Sequence, residues 1–135
     1  MRGLIVDYAG VLDGPEEDLV RWRNIFAAVK AAGVSSAILA AEEGAEAESI
    51  REWEYRGVVD AVVLSDEVGP EKTEVGAFQT AADALELPLN ECVLIDDNIN
   101  NVRTGVEAGL VANLHTVFDR TSVGIASIFD LEGEF

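Results

Sequence analysis

The sequence predicts an α/β domain, a three-layer Rossmann-like sandwich with a five-stranded, mainly parallel sheet and helices on both faces. Two observations predict it. Short apolar runs alternate with amphipathic stretches along the whole chain, and those runs are apolar at consecutive positions, as strands covered on both faces must be. Right-handed crossovers between parallel strands then leave few topologies, all of the doubly wound kind. The 135 residues fit one domain, residues 1–135, long enough to bury a core.

Each element follows in order. Leu4-Ile5-Val6 opens onto Asp7 and a Gly-bearing turn and reads as a buried strand. Pro15 and the acids Glu16, Glu17 and Asp18 suit a helix N-terminus. Leu19, Trp22, Phe26 and Val29 then mark one helical face that ends near Gly33. Ala37–Ala40 is the second strand, and a helix over 45–56 follows with Ile50, Trp53 and Ala47 inward. Ala61–Leu64 is the third strand, and a helix over 75–85 precedes Pro88. Cys92–Ile95 is the fourth strand, ending in Asp96-Asp97. Asn98 is an N-cap for a helix to Ala108, with Gly109 as its stop. Residues 110–117 form a weaker fifth strand and 122–129 a last short helix.

Composition narrows the function. Acidic residues number 26 against 9 basic ones, a net charge of −17, and 49% of residues are apolar. Such a chain has a core, yet lacks the positive footprint that nucleic acid or an anionic membrane surface requires. The one cysteine, Cys92, excludes an internal disulfide. No apolar run approaches a membrane span and no signal peptide is evident, so the expectation is a cytoplasmic protein.

In a sheet of this kind ligands bind at the carboxyl ends of the strands. Those ends carry Asp7, residues 40–43, Ser65 and Asp66, and Asp96 with Asp97, while Lys72 lies in the loop beyond strand three. Converging carboxylates repel one another unless a cation lies between them, and hard oxygen ligands suit Mg²⁺. Asp7 and Asp96, each closing an apolar strand, are the stronger site candidates; Asp66 reads better as a solvent-facing cap, and Asp97 stands between the two.

Three segments resemble the motifs of the haloacid dehalogenase-like (HAD) hydrolases, in the same order. Residues 4–12, Leu-Ile-Val-Asp-Tyr-Ala-Gly-Val-Leu, are similar to the first. Val68-Gly69-Pro70-Glu71-Lys72 resembles the third, in which a lysine follows a Val-Gly turn. Residues 93–97, with Asn101 and Ala108-Gly109 beyond, resemble the fourth. The resemblance implies a magnesium-dependent phosphohydrolase with Asp7 as the nucleophile that forms an aspartyl-phosphate. Lys72 would hold Asp7 and the phosphoryl oxygens, and Gly10 would let backbone amides approach them. Asp7, Asp96, Asp97 and the Ala9 carbonyl would bind Mg²⁺. A phosphorylated small molecule or macromolecule would be the substrate.

Departures from the family pattern are equally specific. Ala9 stands where the family has its general acid/base, a loss worth about 10²- to 10⁴-fold in rate. Ala40 stands where a Ser or Thr binds phosphate, with Glu42 and Glu43 close by; Ser65 is a weak substitute. Thr73 follows Lys72 where proline is common. The spans from Asp7 to Ala40 and from Ser65 to Lys72 hold no room for a cap domain, leaving the site open. A second reading therefore keeps the fold without the reaction: a natural pseudoenzyme or a redesigned scaffold that binds or self-associates. His115 has no partner in sequence and reads as a strand or surface residue, and Cys92 as a core residue. Phe118, Phe129 and Phe135 pack the C-terminal segment or form a self-association patch, so a homo-oligomer stays open.

Overall fold

The computed structural model describes residues 1–64, 67, 73–133 and 135. Its strands are β1 (Gly3–Asp7), β2 (Ser35–Ala40), β3 (Ala61–Leu64), β4 (Cys92–Asp96) and β5 (Val111–Leu114). Between and after them lie α1 (Glu16–Ala31), α2 (Gly44–Tyr55), α3 (Glu74–Ala84), α4 (Ile99–Ala108) and α5 (Phe118–Phe129), with a 3-10 turn at Leu89–Glu91. The strands form one sheet in the order β3-β2-β1-β4-β5, and every pairing is parallel. The expected architecture is the observed one.

Side-chain alternation explains the continuous apolar strands. Leu4, Val6, Ile38, Val93 and Ile95 face one core with Trp22, Phe26, Ile50 and Ile125 from α1, α2 and α5. Ile5, Ala37, Leu39 and Leu94 face the other, with Phe78 and Ala81 of α3. Each strand thus needs apolar residues at both parities, a demand that loop or surface segments do not meet.

Helix ends follow local chemistry. Pro15 precedes α1, three acids occupy its first turn and Lys30 its last, the arrangement that the helix dipole favours. The Asn98 side chain accepts from the Asn100 and Asn101 amides at the start of α4, and Gly109 closes that helix at φ 108°. Gly105 brings α4 down onto the sheet, because a Cβ there would lie 2.9 Å from Leu94 Cδ2.

The C-terminal quarter departs from expectation. β5 ends at Leu114, three residues early, and α5 begins at Phe118, four residues early. The strand is short because it lies at the sheet edge, where Val111 and Leu114 are exposed and little apolar contact extends it. The early helix start buries Phe118, Thr121 and Ser122, and Phe118 packs edge-on against Trp22 with ring centroids 5.3 Å apart. Trp53 is half-buried rather than core, with its ring against Phe26. Phe129 is buried in the first core, and Phe135 is partly buried against the same core.

Candidate functional site

Strand order places the site. From β1 the sheet grows outward through β2 and β3, then returns across β1 to β4 and β5, so the order reverses between β1 and β4. At such a reversal the connections leave in opposite directions and open a crevice at the strands' carboxyl ends. Val6 pairs with Ile95, so Asp7 and Asp96 emerge side by side at that crevice.

Asp7, Asp96 and Asp97 converge: one carboxylate oxygen from each lies within 4.8 Å of the others. Asp96 is 1% exposed, and both of its oxygens are oriented. Oδ1 accepts from the Asn98 amide at 2.9 Å and Oδ2 from Asn101 Nδ2 at 3.1 Å. Burial raises the Asp96 pKa, while those two hydrogen bonds favour the charged form. Among the described residues Asp7 has no such relief. Burial first, then the charges of Asp96, Asp97, Glu74 and Glu42, push its pKa up to about 8. The cluster fits a divalent cation chemically: its donors are hard oxygens, and positive charge among them would offset the burial and the neighbouring carboxylates that raise the Asp7 pKa.

The loop after β1 is ordered by its own backbone. The Tyr8 amide donates to the Leu39 carbonyl, and the Val11 and Leu12 amides both donate to the Tyr8 carbonyl. Gly10 sits at φ 76°, and a Cβ there would lie 1.9 Å from Asp97 Oδ2. Its glycine is therefore required by Asp97, which approaches through the space a side chain would fill. The Gly10 amide donates to Asp13 Oδ1 at 3.0 Å, so it is already engaged. Among the described residues, Ala9 has the one amide between Tyr8 and Leu12 without an acceptor.

Beside Asp7 a cleft of about 290 Å³ is lined by Ala9, Leu39, Ala40, Ala41, Val63, Leu64, Thr73, Glu74, Ala77 and Asn101. Ala9 and Ala40 thus line the cleft, and neither offers it a polar side chain. Thr73 N-caps α3, its hydroxyl accepting from the Gly76 amide at 3.0 Å, which accounts for a residue other than proline there. Glu74 is the residue that sequence reasoning missed. It stands in the first turn of α3 at the cleft, and burial followed by the Asp96 charge raises its pKa. Its position two residues beyond Lys72, at the start of the helix that follows the strand-end loop, was the available signal, masked because an acid in a first turn already has a structural reason. Glu42 is half-buried, and its Oε2 has no hydrogen-bond partner among the described residues. Lys72, Ser65 and Asp66 lie outside the described residues.

His115 is one residue past β5, not within it. Its amide donates to the Asp96 carbonyl, its Nδ1 lies 2.6 Å from Thr121 Oγ1, and its ring packs near Trp22. Burial lowers its pKa. Cys92 is buried at the start of β4, where burial pushes the thiol up to about 11, so it is a packing residue. No helix among the described residues is long and apolar enough to cross a membrane.

Asn101→Ala removes the donor to Asp96 Oδ2 and leaves a buried carboxylate oxygen unpaired. A loss of about 1–3 kcal/mol in unfolding free energy is expected, checked by urea melts without metal. An unchanged midpoint would show that solvent takes over the bond.

No protein-family model and no curated protein matches the chain. Among solved structures, an uncharacterized protein from Corynebacterium glutamicum ATCC 13032 Kitasato superposes with a TM-score of 0.94 at 59% identity, covering 100% of this chain and 99% of that one. A HAD family enzyme from Bacteroides thetaiotaomicron, solved in complex with magnesium and inorganic phosphate, matches with a TM-score of 0.60 at 12% identity over 86% of this chain and 94% of that one. The core domain of a Streptococcus pneumoniae TIGR4 protein described as a phosphoglycolate phosphatase gives 0.62 at 13% identity, over 96% and 95%. At those identities the last two matches establish the fold alone. The chain therefore belongs to the same family as the Corynebacterium glutamicum protein, built on the haloacid dehalogenase-like fold.

Proposed function

We propose that this protein is a magnesium-dependent phosphoryl-transfer protein that acts on a phosphate ester through an aspartyl-phosphate at Asp7, with slow turnover. The observation that carries the reading is the convergence of Asp7, Asp96 and Asp97 beside a cleft at the topological switch point. The Bacteroides enzyme, which shares the fold, was solved with magnesium and inorganic phosphate, and that supports the choice of ligands.

Asp7, Asp96, Asp97 and the Ala9 carbonyl would hold the cation. When bound, Mg²⁺ supplies positive charge to the phosphoryl oxygens and returns Asp7 to its anionic form. An Asp7 oxygen then attacks phosphorus, the bond from phosphorus to the ester oxygen breaks, and that oxygen leaves with its electron pair. Lys72, assigned from sequence alone, balances the charge of the phosphoryl oxygens, and the Ala9 amide is available to donate to one of them. The leaving oxygen needs a proton, and Ala9 has none to give. Among the described residues the cleft is lined by two carboxyl groups, Asp7 and Glu74. With Asp7 as nucleophile, Glu74 is left to protonate the leaving group and afterwards to take a proton from the attacking water.

Acetyl phosphate and Mg²⁺ followed by intact-mass analysis test the reading. A phosphoryl adduct on the wild-type chain that is absent from Asp7→Asn is the expected result. In Glu74→Gln the adduct should form and persist about 10-fold longer. No adduct under any condition would overturn the reading. It would favour the second one, a non-catalytic member of the fold that works by binding, for which the lack of a polar side chain at Ala9 and Ala40 speaks.

A further inference from the structure

We infer that the cleft beside Asp7 selects the organic part of the phosphate ester by apolar contact, so that the substrate is an ester of a compact, uncharged, hydrocarbon-rich alcohol or phenol. The inference rests on the reading of Asp7 as the residue that takes the phosphoryl group. From Asp7 the cleft runs across the ends of β2 and β3 to α3, about 290 Å³ in all. A phosphoryl group does not fill that space, and the remainder is left to what the phosphoryl group is attached to.

The walls favour one kind of occupant. Leu39, Ala40, Val63, Leu64 and Ala77 line the cleft, and all of them except Ala77 are buried residues. Leu39 and Val63 belong to the second core and Ala77 packs against it, so the cleft opens onto that core between the sheet and α3. An apolar group placed there continues the core packing and leaves water as it binds.

Polar groups along these walls already have partners. The Leu39 carbonyl accepts from the Tyr8 amide at 2.8 Å, and the Leu64 amide donates to Glu67 at 3.1 Å. Of the neutral polar side chains in the lining, Thr73 accepts from the Gly76 amide and Asn101 donates to Asp96. A sugar or polyol would bring hydroxyl groups to a surface with few free partners, which weakens binding.

Charge narrows the class further. Among the described residues the cleft is lined by two ionisable side chains, Asp7 and Glu74, both acids, and by no base. A carboxylate on the organic part would meet Glu74 in a chain of net charge −17. An ammonium would hold Glu74 ionised and leave no proton for the departing oxygen. A neutral apolar group does neither.

Calorimetric titration of the full chain in Mg²⁺ with alkylphosphonates, which carry no ester oxygen to leave, reads the cleft without turnover. Affinity should rise about 4-fold per methylene from methylphosphonate to butylphosphonate. Phosphonoacetate and 2-aminoethylphosphonate, close in size to propylphosphonate, should each bind about 10-fold more weakly than it does. Ala77→Leu narrows the cleft and Ala77→Ser makes it more polar. Each should lower the ratio of butyl to methyl affinity about 5-fold, with melting temperatures showing that both variants fold. Affinity independent of chain length, tighter binding of either charged analogue, or no binding of the series at all would overturn the inference. The acetyl phosphate adduct reports on Asp7 separately. An adduct with a flat phosphonate series discards the apolar selection and keeps the reaction, while a graded series without an adduct keeps the selection and discards the reaction.

Discussion

Asp7→Asn is expected to raise the melting temperature of the metal-free protein at pH 8 by about 5 °C or more. In the folded protein the Asp7 pKa is pushed from 3.8 to about 8, first by burial and then by Asp96, Asp97, Glu74 and Glu42. Between those two values the native state holds a proton that the unfolded chain has released. Stability therefore falls as pH rises through this window, and levels off above the folded pKa. Asparagine removes the charge and most of the slope; raised values at Asp96 and Glu74 keep a remnant of the same sign. Melts from pH 4 to pH 9 in a chelator check this, and parallel curves for the two proteins would refute it. The proposed cation would act on the same group. At pH 7 Mg²⁺ binding should release about one proton from the wild-type chain, measurable by calorimetry in buffers of different ionisation enthalpy, and less from Asp7→Asn.

Gly10→Ala should damage stability and metal binding together. The backbone there is left-handed at φ 76°, and the added methyl would lie 1.9 Å from Asp97 Oδ2. Strain and steric overlap together cost about 2 kcal/mol or more, a fall in melting temperature of roughly 5–10 °C. Relief requires Asp97 to swing away, and the cluster then loses one of its three carboxylates. A Mg²⁺ titration should show weaker stabilisation than in the wild type. Normal affinity in a folded Gly10→Ala protein would show that Asp97 is not part of the cation site.

Much of the architecture was legible because its determinants are local. Two-sided burial writes itself into the apolar runs at residues 4–6, 37–40, 61–64 and 92–95, and all four are strands. Asn98 and Gly109 bound α4 through hydrogen bonds and a backbone angle that involve only near neighbours. The edge strand was read less well. β5 is partly exposed, so its pattern is diluted, and the boundary between it and α5 depends on Phe118 finding Trp22 on a distant helix.

The sequence by itself determined that Asp7 and Asp96 stand at carboxyl ends of strands, since the apolar run before each one ends there and strand ends are where a doubly wound sheet exposes side chains. Only the tertiary structure decided what surrounds them. It set Asp97 against Gly10, turned Asn101 onto Asp96, and brought Glu74 and Glu42 within reach of Asp7. All but the Asn101 contact join segments far apart in the chain, and a carboxylate's charge state follows from every group near it, whatever its position in sequence. Strand order is a property of the assembled sheet, and it alone says which two strands are edges.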